Sequence, residues 1–347
     1  MSCRFEDLSF RKFEIYNTMK RLLVVRLSAL GDVAILSPVL RERAEANPDV
    51  EFVMAGPPRL QPLFDGVSNI RFLPTQKRQS PWSLFKSLYA QRPDMVADMH
   101  FVNRVVIADL FFLLHGIPVR RIRKEKGQRR KMMRAVRKDL TPLTPSWKRY
   151  DMVFDRCGLN SGGLSQMSQS YWSVKSECPS NVCYIGIAPT AQHKGKVWPL
   201  ERMEQLVRKL SLEPGYRILL FGGPDEKALL EEWESRYANT ESLACKMSFA
   251  EELDAISHLH VMVSMDSANM HFASCRGVPV VSVWGATHPN CGFYGWRQNP
   301  SQAVQKQLDC RPCSAFGNKS CKWGDYRCLT SIAVDDVYNQ VRTLLKS

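Results

Sequence analysis

The chain has 347 residues, 44% of them hydrophobic and 24% charged, which suits a folded protein of two domains and excludes a disordered or fibrous one. No stretch reaches the roughly 18 apolar residues of a membrane span, since the longest, Val105 to Leu114, is interrupted by Asp109. A net charge of +14 calls for an acidic partner, and eleven cysteines without a secretory signal predict free thiols in a reducing compartment.

Residues 1–18 are mixed in charge and read as a flexible extension, unless translation starts at Met19. Lys20 to Leu27, rich in Val and Leu, predicts a parallel strand buried on both faces. Ser28-Ala29-Leu30-Gly31-Asp32 then turns at the carboxyl end of that strand, where open α/β sheets bind ligands. Asp32 reads either as a helix cap or as a general base. Pro38 leaves two routes for the following helix: a start capped by Ser37, or a start near Asp32 with a kink. Further strands are predicted at Glu51 to Ala55, Ile70 to Leu73 and Met95 to Asp98, with helices between them, as in parallel βαβ units. Asp98, Met99, His100 and Asn103 follow the fourth strand and lie at the same sheet mouth, as acceptor contacts or as a polar strand end.

Eleven Lys and Arg side chains fall between Arg120 and Lys138, either as a solvated face or as a surface for an anion such as lipid headgroups or nucleic acid. A Ser-, Gly- and Pro-rich stretch follows, with a helix at Lys148 to Cys157 and a linker over Leu159 to Ser180. The alternation then restarts with strands at Tyr184 to Ala188, Arg217 to Phe221, Val261 to Ser264 and Val278 to Trp284. Three of their ends are polar. Thr190, Lys194 and Lys196 lie before Trp198-Pro199, where a lysine serves as a point charge for a diphosphate. Gly222-Gly223 permits close ligand approach, and Glu226 can accept hydrogen bonds from ribose hydroxyls. Asp266 or Ser267 can cap the next helix, whose free N–H groups form an anion site that His271 extends by one donor. The bland alternative is a capped helix with a core histidine. Two such series predict two facing sheets with a cleft between them.

Ser28-Ala29-Leu30-Gly31-Asp32 with Pro38, Lys196-Val197-Trp198-Pro199, and Asp266-Ser267-Ala268 with His271 and Ala273 resemble glycosyltransferase family 9, the family of the lipopolysaccharide heptosyltransferases. The likeness runs from Met19 to the final helix, with the motifs in the family's order and approximate spacing. It implies an α/β, GT-B architecture of two Rossmann-like domains facing a central cleft. Residues 19–165 would bind the acceptor and 166–332, with a Cys-rich tail, the nucleotide sugar, while 333–347 would form a helix returning to the first domain. By position Asp32 matches the family's catalytic base and Lys196 its phosphate-contacting lysine. Asp266, Ser267, Ala268 and His271 match its diphosphate-binding turn, and Glu226 its ribose-contacting acid. Ala268 stands where many relatives carry glycine.

The resemblance implies heptose transfer from ADP-heptose to a lipopolysaccharide core or lipid A precursor, with inversion and without metal or cofactor. Another nucleotide sugar or acceptor within the family stays open. Ser28, Gly31, His100, Asn103, Arg120, Arg121 and Arg123 make the expected acceptor set for an anionic lipid-linked glycan. The enzyme would work in the cytoplasm, on the inner membrane surface. Cys310, Cys313, Cys321 and Cys328 pair one zinc-knuckle spacing with a wider one, so zinc, free thiols and a late disulfide all stay open. A basic nucleic-acid-binding protein is the reading from another class. It leaves Asp32, Lys196 and the Asp266 turn without a role, and the basic stretch lacks the interleaved aromatics of a single-strand platform, so no nucleic-acid partner is expected.

Overall fold

The computed structural model describes residues 19–76, 78–134, 137–165 and 182–346. The extension at 1–18 and the linker from 166 onward lie outside the described residues. In chain order the first elements are β1 (Arg21–Val25), α1 (Leu30–Glu45), β2 (Glu51–Gly56), β3 (Ile70–Pro74), α2 (Pro81–Tyr89), β4 (Met95–Asp98), α3 (Asn103–Leu114) and β5 (Val119–Arg121). Next come α4 (Lys126–Met132), which belongs to a second unit, and α5 (Ser146–Arg156), which belongs to the first. The second unit continues with β6 (Cys183–Ala188), α6 (Leu200–Ser211), β7 (Tyr216–Leu220), α7 (Lys227–Arg236), β8 (Thr240–Ser242) and α8 (Phe249–Ser257). It ends with β9 (Val261–Met265), α9 (Ala268–Cys275), β10 (Val280–Trp284), β11 (Ala303–Gln305), α10 (Arg327–Thr330) and α11 (Val334–Lys346).

The first sheet is parallel in the order β3-β2-β1-β4-β5, the second parallel in the order β11-β10-β9-β6-β7-β8. Strand order reverses once in each, between β1 and β4 and between β6 and β9. Chains leaving the carboxyl ends of such neighbouring strands diverge to opposite faces and open a crevice there. Leu23, Val25, Val53, Val96 and Phe112 fill the first core, and Ile187, Val263, Val283, Trp198 and Trp233 belong to the second. Their continuous apolar strands reflect burial on both faces.

α1 starts at Leu30 and is continuous past Pro38 instead of starting there. Proline has no N–H to offer the carbonyl four residues back. The Ser37 hydroxyl takes that place, donating to Ala34 O at 3.0 Å, so Ser37 completes the helix rather than capping it. In the first unit α5 is fastened to α1 by the fully buried Arg43, which donates to the carboxylates of Asp151 and Asp155.

Three expectations are corrected. Residues 125–145, assigned above to the acceptor domain, belong to the second unit. Leu143 N donates to Asn290 O at 2.9 Å, Lys138 Nζ to Pro312 O at 2.9 Å, and Met132, Leu143 and Cys291 share a small core. The apolar face of α11, expected to return to the first domain, is buried in the second unit's core through Val337, Tyr338, Val341 and Leu344. Lys209 Nζ holds Asp335 at 2.5 Å and Lys306 Nζ holds Asp336 at 2.6 Å at the start of that helix. Finally, Cys183 is disulfide-bonded, whereas Cys157, Cys245, Cys275, Cys291 and the four tail cysteines are free.

Candidate active site

At the reversal point of the first sheet, Arg26 lies just beyond the last paired residue of β1 and is buried. A guanidinium in that place must be compensated, and three groups do so. Its NH2 lies 2.5 Å from Asp32 Oδ2, its NH1 donates to Met99 O at 2.6 Å, and its plane sits 5.8 Å from the centre of the Tyr150 ring. Burial alone would lower the Arg26 pKa, but Tyr150 and Asp32 outweigh it and hold the group above its ordinary value. Asp32 also receives the Tyr150 hydroxyl on Oδ1 at 3.4 Å and, in the first turn of α1, the Ala29 N–H at 3.5 Å. Cap and candidate base are therefore the same carboxylate. It remains 26% exposed while its partner Arg26 is 9% exposed.

β4 supplies the other wall. Asp98 Oδ1 accepts the N–H groups of His100 and Phe101 at 2.8 and 2.7 Å, folding the loop so that His100 Nε2 lies 3.1 Å from Ser28 Oγ. Burial, and then the positive charge of Arg26, push the His100 pKa down to about 3, so at neutral pH it is an uncharged hydrogen-bonding ring. Ser28, Gly31, His100, Asn103 and Asp32 thus gather at one strand-end region. The arginines of β5 are placed differently. Arg121 Nε pairs with the buried Asp109 at 2.7 Å, and Arg120 Nε donates to Arg156 O at 2.9 Å, whereas Arg123 is exposed.

At the reversal point of the second sheet, Asp266 follows β9 and Lys196 lies in the loop after β6. Lys196 Nζ is 3.0 Å from Asp266 Oδ2, with the ammonium side chain 17% exposed and the carboxylate 5% exposed. Asp266 therefore does not cap α9. Ser267 holds the N-cap position without a side-chain cap bond, its hydroxyl 3.0 Å from Ser264 Oγ, and Ala268 opens the helix. His271, on the first full turn of α9, is buried. After β7, Glu226 Oε2 accepts the Gly223 N–H at 2.7 Å and its Oε1 accepts the Thr190 hydroxyl at 3.0 Å, joining two predicted residues. Lys194 is exposed, with Nζ 5.3 Å from the centre of the Tyr326 ring.

The Cys-rich tail braces this loop. Buried Arg311 donates from Nε to Gly285 O at 2.5 Å and from NH2 to Thr287 O at 3.0 Å, just beyond β10. Gly317, at φ +76°, lies so close that a Cβ there would meet Lys196 Cγ at 2.6 Å. Burial and mutual repulsion raise the thiol pKa of Cys313, and burial carries Cys328 to about 11. Among the described residues, no three His, Cys, Asp or Glu side chains come together as a ligand set for a metal ion. Arg26, Tyr150, Arg311 and Gly317 were not singled out from sequence. A lone arginine inside an apolar strand was the available signal for Arg26, whereas Tyr150, 118 residues from its partner, had none.

Two parallel sheets of this order, with their charged groups at the reversal points, define an α/β protein of the GT-B class. The chain belongs to glycosyltransferase family 9 (heptosyltransferase), whose family model matches residues 82–323, and is a heptosyltransferase-like glycosyltransferase. It is 23% identical over 283 residues to lipopolysaccharide heptosyltransferase 3 of Escherichia coli, covering 74% of this chain and 81% of that protein. In fold it is similar to the family 9 glycosyl transferase of Veillonella parvula, with a TM-score of 0.68 at 19% identity over 94% of this chain and 97% of the other. The E. coli ADP-heptose lps heptosyltransferase II is similar too, with a TM-score of 0.63 at 18% identity over 94% and 99%.

Proposed function

We propose that the protein is an inverting heptosyltransferase that moves heptose from ADP-heptose to an anionic, lipid-linked lipopolysaccharide core precursor at the cytoplasmic face of the membrane. The observation that carries this reading is the Lys196–Asp266 pair, in which the cation is the more exposed partner at a strand-end crevice. A diphosphate leaving group gains charge as its bond to the sugar breaks. An ammonium already oriented by a buried carboxylate needs no reorganisation to receive it. His271 and the N-terminus of α9 add donors beside it, and Thr190, Glu226, Lys194, Ser267 and Ala268 complete the proposed nucleotide site. The similar heptosyltransferase II of E. coli is an ADP-heptose enzyme by name, which supports this donor.

In a single displacement the acceptor oxygen loses its proton to Asp32 as it attacks the anomeric carbon, and the diphosphate departs from the opposite side. Arg26 and Tyr150 hold the carboxylate while its exposed edge meets the hydroxyl. Ser28, Gly31, His100, Asn103 and Arg123 would contact the acceptor, with Arg120 and Arg121 fixing β5 behind them. In this reading the displacement proceeds without a metal.

Thermal stabilisation by ADP, ADP-heptose, UDP-sugars and GDP-sugars tests the donor assignment. A ligand at about 100 times its dissociation constant stabilises by roughly 2.7 kcal/mol. ADP compounds are expected to shift the melting point selectively, and Lys196→Ala and His271→Ala to lose the shift. A shift with UDP- or GDP-sugars alone would refute the donor.

A further inference from the structure

Helices α2 and α3 pack on each other through aromatic contacts, with Trp82 and Phe111 ring centres 5.1 Å apart and Phe85 and Phe112 also 5.1 Å apart. Their inner faces thereby disappear into the first unit's core. The outer faces carry the reverse of what water selects. Trp82 is 48% exposed, Tyr89 41%, Ile107 41%, Leu110 52%, Leu113 46% and Leu114 80%. On α3, Ile107, Leu110 and Leu114 follow the i, i+3, i+7 spacing of a single stripe, which in a water-facing helix would be polar. Scattered exposed apolar residues need no explanation, but a contiguous set on one helix pair does.

The surface charges carried by these two helices have one sign. Lys86 stands between Trp82 and Tyr89 on α2, with Nζ 5.0 Å from the centre of the Trp82 ring, and Arg104 lies in the first turn of α3. The two helices contain a single acid, Asp109, which is 1% exposed and paired with Arg121. A second copy of this chain, at net charge +14, would set like charges against each other across the patch. A long aliphatic stripe bordered by Trp and Tyr, with cations and no exposed carboxylate, matches the boundary between acyl chains and anionic headgroups.

We infer that the α2–α3 face is a docking surface for an anionic lipid bilayer. The choice of a lipid surface rests on the membrane-side acceptor reading above, whereas the surface itself rests on these side chains. α3 begins at Asn103, directly after the loop that carries His100, so docking by this face holds the first unit's candidate site beside the headgroup layer. The apolar stripe supplies retention and the cations supply selection for negative lipid.

Co-sedimentation of the full chain with vesicles of phosphatidylethanolamine and phosphatidylglycerol, against vesicles of phosphatidylcholine, tests the inference. Wild type is expected to bind the anionic vesicles preferentially. Leu110→Ser/Leu114→Ser, at exposed positions, should weaken that binding at least about tenfold. Lys86→Glu should weaken it about fivefold or more and gives an independent readout should the double variant fold poorly. Unchanged binding by these variants overturns the inference, as does equal binding to neutral vesicles. So does a concentration-dependent oligomer dissolved by the double substitution, which would assign the face to a second copy. Turnover of ADP-heptose with a water-soluble acceptor fragment separates the two readings. Vesicle binding without wild-type turnover refutes the proposed function and keeps the surface, whereas turnover without vesicle binding does the opposite.

Discussion

The two reversal points carry the same kind of pair with the roles exchanged. In the first unit the cation, Arg26, is buried and the carboxylate, Asp32, is the more exposed partner; in the second the carboxylate, Asp266, is buried and the cation, Lys196, faces outward. The buried member in each case fixes its partner, and the partner's opposite charge offsets the cost of the buried one's desolvation. A carboxylate presented at a strand end can take a proton, and an ammonium presented there can take up a phosphate's charge. Two sheets of one topology thus offer opposite chemistries, decided by which residue of a pair lies nearer the solvent.

The sharpest way to break that contrast is to neutralise the two presented groups separately. Asp32→Asn should lower turnover roughly 10²–10⁴-fold, the usual contribution of a general base, and leave stabilisation by ADP intact. Lys196→Ala should lower turnover about 10²–10³-fold and abolish ADP stabilisation as well. If Asp32→Asn also removed the ADP shift, the division of labour between the units would be wrong. Steady-state kinetics beside a melting series with and without ADP reads both outcomes. A smaller effect is expected from Gly317→Ala, which demands a positive φ of a non-glycine residue and pushes a methyl against the Lys196 stem. With Asp266 still in place, ADP affinity should fall about fivefold and turnover less than in Lys196→Ala. No change in affinity would show that the tail does not position the lysine.

The first-unit strands and the presented groups were legible because each depends on local pattern. Apolar runs of Val and Leu mark strands buried on both faces, and polar residues directly after them mark the crevice, which is how Asp32, Lys196, Glu226 and Asp266 stood out. The partners behind them are set by tertiary packing. Tyr150 reaches Asp32 from a helix distant in the chain, and Arg121 reads as a free cation until Asp109 is found beneath it. The assignment of 125–145 failed for a similar reason. The density of Lys and Arg there reads either as a solvated face or as an anion-binding surface and carries no sign of a domain boundary, whereas Met132, Leu143 and the Lys138–Pro312 bond tie it to the second unit. Short strands such as β5, β8 and β11 left too few residues for a period to show.

The smallest expected effect concerns the buried titrating groups around the first-unit site, and its sign differs between two neighbours. Burial, and then the adjacent Asp98 carboxylate, raise the Asp109 pKa from 3.8 to about 7. Between those values the folded chain binds a proton that the unfolded chain does not, so this group's contribution to stability declines as pH rises through that window. His100 acts oppositely. Its pKa falls from 6.5 to about 3, so between those values the unfolded chain binds the extra proton, and stability grows with rising pH. Asp109→Asn removes the declining contribution while keeping an oxygen for Arg121 to reach. The melting temperature of this variant relative to wild type should therefore increase as pH is taken from 5 to about 8, whereas His100→Gln should flatten the acid side of the curve. Groups away from this site, His288 included, are common to variant and wild type and cancel in the difference, whereas Asp98 interacts with Asp109 directly and its altered titration is part of what the difference reads. A difference that shrinks with rising pH for Asp109→Asn would mean that Arg121 holds Asp109 ionised, and the first-unit site would then present one more fixed negative charge than its buried acids suggest.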